Sequence, residues 1–101
     1  QQPVPTKIRL ARSGGAVSRR AGINPSRGDL WVATVIDQSG VPMAGVPLTA
    51  RLPNGKGVSV STRGDGKALL AVPRRRGRLN VAVALPGIRV NARRAVPARV
   101  R

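Results

Sequence analysis

The sequence predicts an all-β, antiparallel sandwich of about seven strands. Three observations carry that expectation. Polar and apolar residues alternate with a period of two through most of the chain. Turn signals recur about every ten residues. No segment carries an apolar stripe of helical period long enough to compete. With 101 residues the chain is one domain, able to bury one core and too short for a second. Apolar residues make up 41%, which excludes a disordered polycation. Trp31 is the only aromatic, so the core must be aliphatic.

Residues 1–6, with two prolines, read as an extended N-terminal arm, and residues 7–101 as the sandwich domain. Lys7-Ile8-Arg9-Leu10 alternates as a half-buried strand does, and Arg12-Ser13-Gly14-Gly15 breaks it. Ala16-Val17 reads as a short continuation, and Arg20 to Gly28 as a loop. Leu30 to Ile36 is dense in Val, Ile, Thr and Trp and is the clearest strand. Asp37 to Gly40 is a turn. Val46 to Leu52 alternates, Pro53-Asn54-Gly55 turns, and Val58 to Thr62 alternates again. Asp65-Gly66 is a second hairpin-type turn before Ala68, Leu70 and Val72. Pro73 to Gly77 is a basic corner, followed by Leu79, Val81, Val83 and Leu85 on one face. After Pro86-Gly87, Ile88 to Val90 and Ala95 to Val100 supply the last strand or hairpin. The pattern puts Trp31, Ala33, Val35, Val46, Leu48, Leu70, Val72, Val81 and Val83 in the core.

Nineteen basic residues face three acids, for a net charge of +16, and all but Lys7, Lys56 and Lys67 of the basic residues are arginine. Such a field attracts anionic partners, and arginine grips carboxylate and phosphate through paired N–H donors. Catalysis is all but closed off. There is no His, Cys, Glu or Tyr, so triads and thiolate metal sites are excluded, and no cofactor is expected. Paired-carboxylate hydrolysis needs two facing acids, whereas Asp37 and Asp65 fall in turns, where Asp bonds its own backbone. No apolar run is long enough to cross a bilayer as a helix. A Gln-Gln-Pro start suits a chain whose signal peptide has been removed, and equally a trimmed fragment.

Three stretches together resemble the bacterial immunoglobulin-like domain of the invasin and intimin type. Trp31 to Leu48 holds a strand, Asp37-Gln38-Ser39-Gly40-Val41-Pro42 and then Ala44-Gly45-Val46-Pro47, similar to that family's D-x-x-G-x-P and a-G-V-P. Thr62 to Ala68 is similar to its T-x-x-x-G-x-A turn, and Gly77 to Val83 to its G-x-y-x-V-x-A strand. The ordered set spans about Pro5 to Val100. The carboxypeptidase-regulatory or transthyretin-like sandwich, which shares a G-x-P-x-x-G-V turn, is the second resemblance. The first implies an immunoglobulin-like β-sandwich in an exported protein, periplasmic or at a bacterial surface, with a spacer, adhesion or assembly role. Such domains usually stand in tandem and are neutral or acidic, and this single basic one departs on both counts. A stand-alone accessory subunit docked on a larger envelope assembly fits better than an adhesin.

The expected contacts for an anionic partner are arginines. Arg9, Arg12, Arg19 and Arg20 lie on or after the first strand, and Arg89, Arg93, Arg94, Arg99 and Arg101 on or near the last. First and last strands are neighbours in immunoglobulin-like sandwiches, so these groups should merge into one cationic edge. Arg74, Arg75, Arg76 and Arg78 form a second cluster at a corner, whereas Arg27, Arg51 and Arg63 look scattered. A bland reading remains open: charged edges also discourage strand-to-strand aggregation. Val32 and Ile36, with Leu30, make an unusually apolar outer face, read either as a partner surface or as a register one residue out. The expected partner is a larger assembly with an acidic face, or an anionic lipid or glycan surface. Nucleic acid ranks lower, since a lone aromatic is a poor stacking platform. Arg63-Gly64-Asp65 spells the integrin tripeptide, but Asp-Gly is first of all a turn.

Overall fold

The computed structural model describes residues 2–13 and 28–97. Seven strands form two antiparallel sheets: β1 (Pro5–Arg12), β2 (Gly28–Asp37), β3 (Pro47–Arg51), β4 (Gly57–Ser61), β5 (Lys67–Pro73), β6 (Gly77–Val83) and β7 (Asn91–Val96). One sheet has the order β1-β2-β5, the other β4-β3-β6-β7. Among the described residues there is no helix.

The period-two pattern becomes the interior. Every residue expected in the core is buried, and Ile8, Leu10, Ala50, Leu52, Ala68, Leu79 and Val96 complete it. Each fully buried Leu or Val contributes about 1.5–3 kcal/mol, against about 0–1 kcal/mol for an exposed ion pair. The interior therefore holds the sandwich together, and the surface charge does not. Trp31 faces this interior, and its indole Nε1 has no acceptor among the described residues.

Two expectations change at the end of the chain. The last strand, β7, starts just after the first apolar stretch expected to form it and takes in only Ala95 and Val96 of the second. Its first five residues are exposed or only partly buried, as on an edge strand, so hydrophobic periodicity does not mark it. The strand before it ends at Val83, and Leu85 sits exposed in the following turn instead of on the inner face. The loop expected from Arg20 to Gly28 and the continuation at Ala16-Val17 lie outside the described residues, apart from Gly28, which begins β2.

Candidate anion-binding surface

The three carboxylates come first, because they decide which cations are left over. On β2 the core-facing residues are Trp31, Ala33 and Val35, and the same side of the strand begins with Asp29. Its carboxylate is 9% exposed. Arg74, just past β5, donates to its Oδ1 from Nε at 3.2 Å and Nη2 at 2.9 Å. Arg12, at the end of β1, lies 3.8 Å from its Oδ2. A buried carboxylate is costly unless paired, and these two guanidiniums close the end of the sandwich around it.

At the other end of β2, Asp37 accepts hydrogen bonds from the backbone N–H groups of Ser39 (2.8 Å) and Val41 (2.9 Å), the Asx-type turn its sequence context predicts. Asp65 accepts from the Lys67 N–H at 3.0 Å and from Arg63 Nη2 at 3.1 Å. The Lys67 N–H holds the Asp65 carboxyl below its ordinary range, and the charges of Arg63 and Lys67 add to that. Within the Arg63-Gly64-Asp65 tripeptide the two charged side chains pair with each other and both stay about half exposed.

Every acid of the chain is therefore committed to its own fold. Among the described residues, only Arg12, Arg63 and Arg74 reach a carboxylate. Of the residues expected at the partner surface, Arg74 is half-buried on Asp29 and Arg12 shares that carboxylate. Both serve the fold first. Arg9, Arg75, Arg76, Arg78, Arg89, Arg93 and Arg94 have no acid partner, and all are exposed. Arg99 lies outside the described residues, as do Arg19, Arg20, Arg27 and Arg101.

The first and last strands lie on the same side of the sandwich, in contact across the gap between the sheets but not hydrogen-bonded to each other. The cationic edge forms only in part, because successive strand residues point to opposite faces. Arg94 pairs opposite Leu79, a core residue, so it lies on the gap side of β7 near β1. Arg93 pairs opposite Asn80 and lies on the outer face of the four-stranded sheet. There it joins Arg51, which looked scattered in the sequence: Arg51 pairs opposite Asn80 from the other side. Arg78 stands on the same face, one step back along β6. Three arginines thus surround Asn80. Strand register produces that cluster, and sequence distance conceals it.

The apolar outer face is mostly closed. Ile36 is 8% exposed, and its backbone is bridged to Pro42. Leu30 is buried, Val32 is half-buried, and Leu69 beside it is 36% exposed. The register is the expected one, and Val32 with Leu69 is what remains accessible of that face.

Two of the three stretches behind the family resemblance, Trp31 to Leu48 and Thr62 to Ala68, meet at one place. Thr62 is buried; its Oγ1 donates to the Met43 carbonyl at 2.6 Å and accepts from the Val46 N–H at 2.9 Å. The Gly45 N–H reaches the Thr62 carbonyl, the Met43 N–H the Val35 carbonyl, and the Val35 N–H the Gly66 carbonyl. Gly66 has φ +78°, and a Cβ there would overlap the Pro42 side chain and crowd the Met43 backbone. The motif is a clasp joining the two sheets.

No family model matches the chain, and no curated protein or solved structure matches it. Among the described residues no group of three metal-ligating side chains comes together, and no helix is long and apolar enough to cross a membrane.

Proposed function

We propose that this chain is a non-enzymatic accessory module, exported to the periplasm or cell surface of a bacterium, that docks on an anionic face of a larger envelope assembly. One observation carries the reading: all three carboxylates are used inside the fold, while exposed arginines on β1, β7 and the β5–β6 corner have no acid partner. A cationic surface left uncompensated by its own chain attracts acidic protein faces, anionic lipid or glycan. The lone aromatic is in the core, which removes the stacking platform that single-stranded nucleic acid uses.

The strand order supports an immunoglobulin-like ancestry. Lettered A to G in chain order, the sheets read A-B-E and D-C-F-G. The immunoglobulin constant domain has A-B-E-D and C-F-G, so the two differ by the fourth strand changing sheets. The clasp at Asp37, Pro42, Thr62 and Gly66 gives the invasin-like motif a physical purpose and is a further support.

The test is cosedimentation with bacterial envelope membranes at low and high salt. Exposed charge attraction is screened over about 8 Å at physiological ionic strength. Retention should fall steeply as salt rises. Replacing Arg9, Arg75, Arg76 and Arg94 with Gln should abolish it, whereas Arg63→Gln, which removes an internally paired charge, should not. Equal retention of all variants at both salts would overturn the reading.

A further inference from the structure

The outer face of the four-stranded sheet is unlike an ordinary solvent face. One cross-strand row reads Gly57, Arg51, Asn80, Arg93, and the next reads Ser59, Thr49, Ala82, Asn91. Neighbours within a row stand about 5 Å apart. The face holds no acid and no bulky apolar residue, and the small side chains of Gly57, Ser59 and Ala82 leave it concave. The depression is about 390 Å³ and is lined by both rows. That size lies at the low end of ligand sites, roughly 300–1,000 Å³.

Its chemistry is uniform. Arg51 spends one N–H on the Gly55 carbonyl at 3.2 Å and keeps its other donors. Among the described residues, nothing bonds the side chains of Arg93, Asn80, Asn91, Thr49 or Ser59. Like charges placed about 10 Å apart, with Arg78 a further step away, are unfavourable for the free protein and repay that cost only when an anion sits between them. The amides and hydroxyls of the second row donate and accept, as sugar hydroxyls require.

We infer that this face is a binding site for an acidic sugar, a hydroxylated ring carrying one carboxylate, sulfate or phosphate group. The anion sits over Asn80 between Arg51 and Arg93, with Arg78 as the third cation. The ring hydroxyls lie along Asn91, Thr49 and Ser59. This site deepens the anion-docking reading above and rests on it, but it uses different arginines from the β1–β7 gap.

The experiment is calorimetric titration with four probes of matched length: a uronic-acid oligosaccharide, a sulfated oligosaccharide, a neutral oligosaccharide and a single-stranded oligonucleotide. One or both acidic saccharides should bind saturably, and their ranking names the anion. The neutral saccharide should not bind. Asn80→Asp places a carboxylate among the three arginines, which leaves the fold intact and should weaken binding by about tenfold or more. Arg51→Gln should act in the same direction, while Arg63→Gln, which removes an internally paired charge, should leave affinity unchanged. The site is overturned by non-saturable binding, by equal binding of the neutral probe, by a preference for the oligonucleotide, or by an unchanged affinity in Asn80→Asp and Arg51→Gln. If the saccharide binds as expected and the envelope membranes do not, only the docking reading falls. If Arg63→Gln costs as much as Arg51→Gln, only this site falls.

Discussion

Two regions of the sandwich treat polar groups in opposite ways. Where β2 runs into the turn before β3, the polar groups of Asp37 and Thr62 and several backbone amides close on one another. On the outer face of β3, β6 and β7, three arginines and two asparagines share a surface with hardly a bond among them. The first region is self-satisfied and buried, so its groups are worth most to stability, because an unpaired buried group costs about 1–3 kcal/mol. The second is exposed and unsatisfied, so its groups are worth almost nothing to the fold and remain available for a ligand. The clasp groups therefore serve the fold, and under the binding proposal the charge on the sheet face is what is left for a ligand.

The contrast can be broken most severely at Thr62. Thr62→Val keeps the shape but strands the Val46 N–H and the Met43 carbonyl. It should cost about 3 kcal/mol in urea unfolding, without changing affinity for anions. At Asp29, the Asn variant removes the charge that Arg74 and Arg12 surround. A loss of about 2 kcal/mol is expected, since hydrogen bonds to charged groups contribute about 1.5–3 kcal/mol and Arg74 is partly exposed. A third change sharpens the other side. Arg51→Gln with Arg93→Gln should alter unfolding free energy by less than about 0.5 kcal/mol while removing affinity for the acidic saccharide. A large loss of stability there would mean that the face is structural.

The smallest effect concerns pH. The Lys67 N–H and neighbouring charges lower the Asp65 pKa in the folded state. Its stabilising contribution is therefore present above the unfolded-chain value and is lost as pH falls through the folded one. Asp65→Asn should be slightly less stable than the parent at neutral pH, and the difference should vanish in acid. A difference that persisted in acid would place the effect in the turn's geometry and not in its charge.

The fold was legible where burial forces alternation. Val46, Leu48, Leu70, Val72, Val81 and Val83 all lie inside because a strand packed on one face must show a period of two. β7 was not legible, because Asn91 to Ala95 face mostly water and water imposes no period. The cationic surface was half legible. Composition announces that anions are attracted, but neighbours across a sheet are set by register. Arg93 and Arg94 are adjacent in the chain and separated by the pleat, whereas Arg51 and Arg93 are far apart in the chain and close on the sheet. Ile36 looked available because alternation places it on the outer face, whereas its burial is set by the tertiary path of the chain, which no periodicity describes. The role of Asp29 depends on partners from beyond its own strand and left no local signal, whereas Thr62 stood in a motif whose purpose only its partners reveal.

Amide chemical-shift mapping during titration with an acidic oligosaccharide tests the division most directly. The account predicts saturable shifts at Arg51, Asn80, Asn91 and Arg93, with the clasp residues Asp37, Val46, Thr62 and Gly66 unmoved. Shifts centred on the clasp, or spread evenly over every exposed arginine, would contradict it.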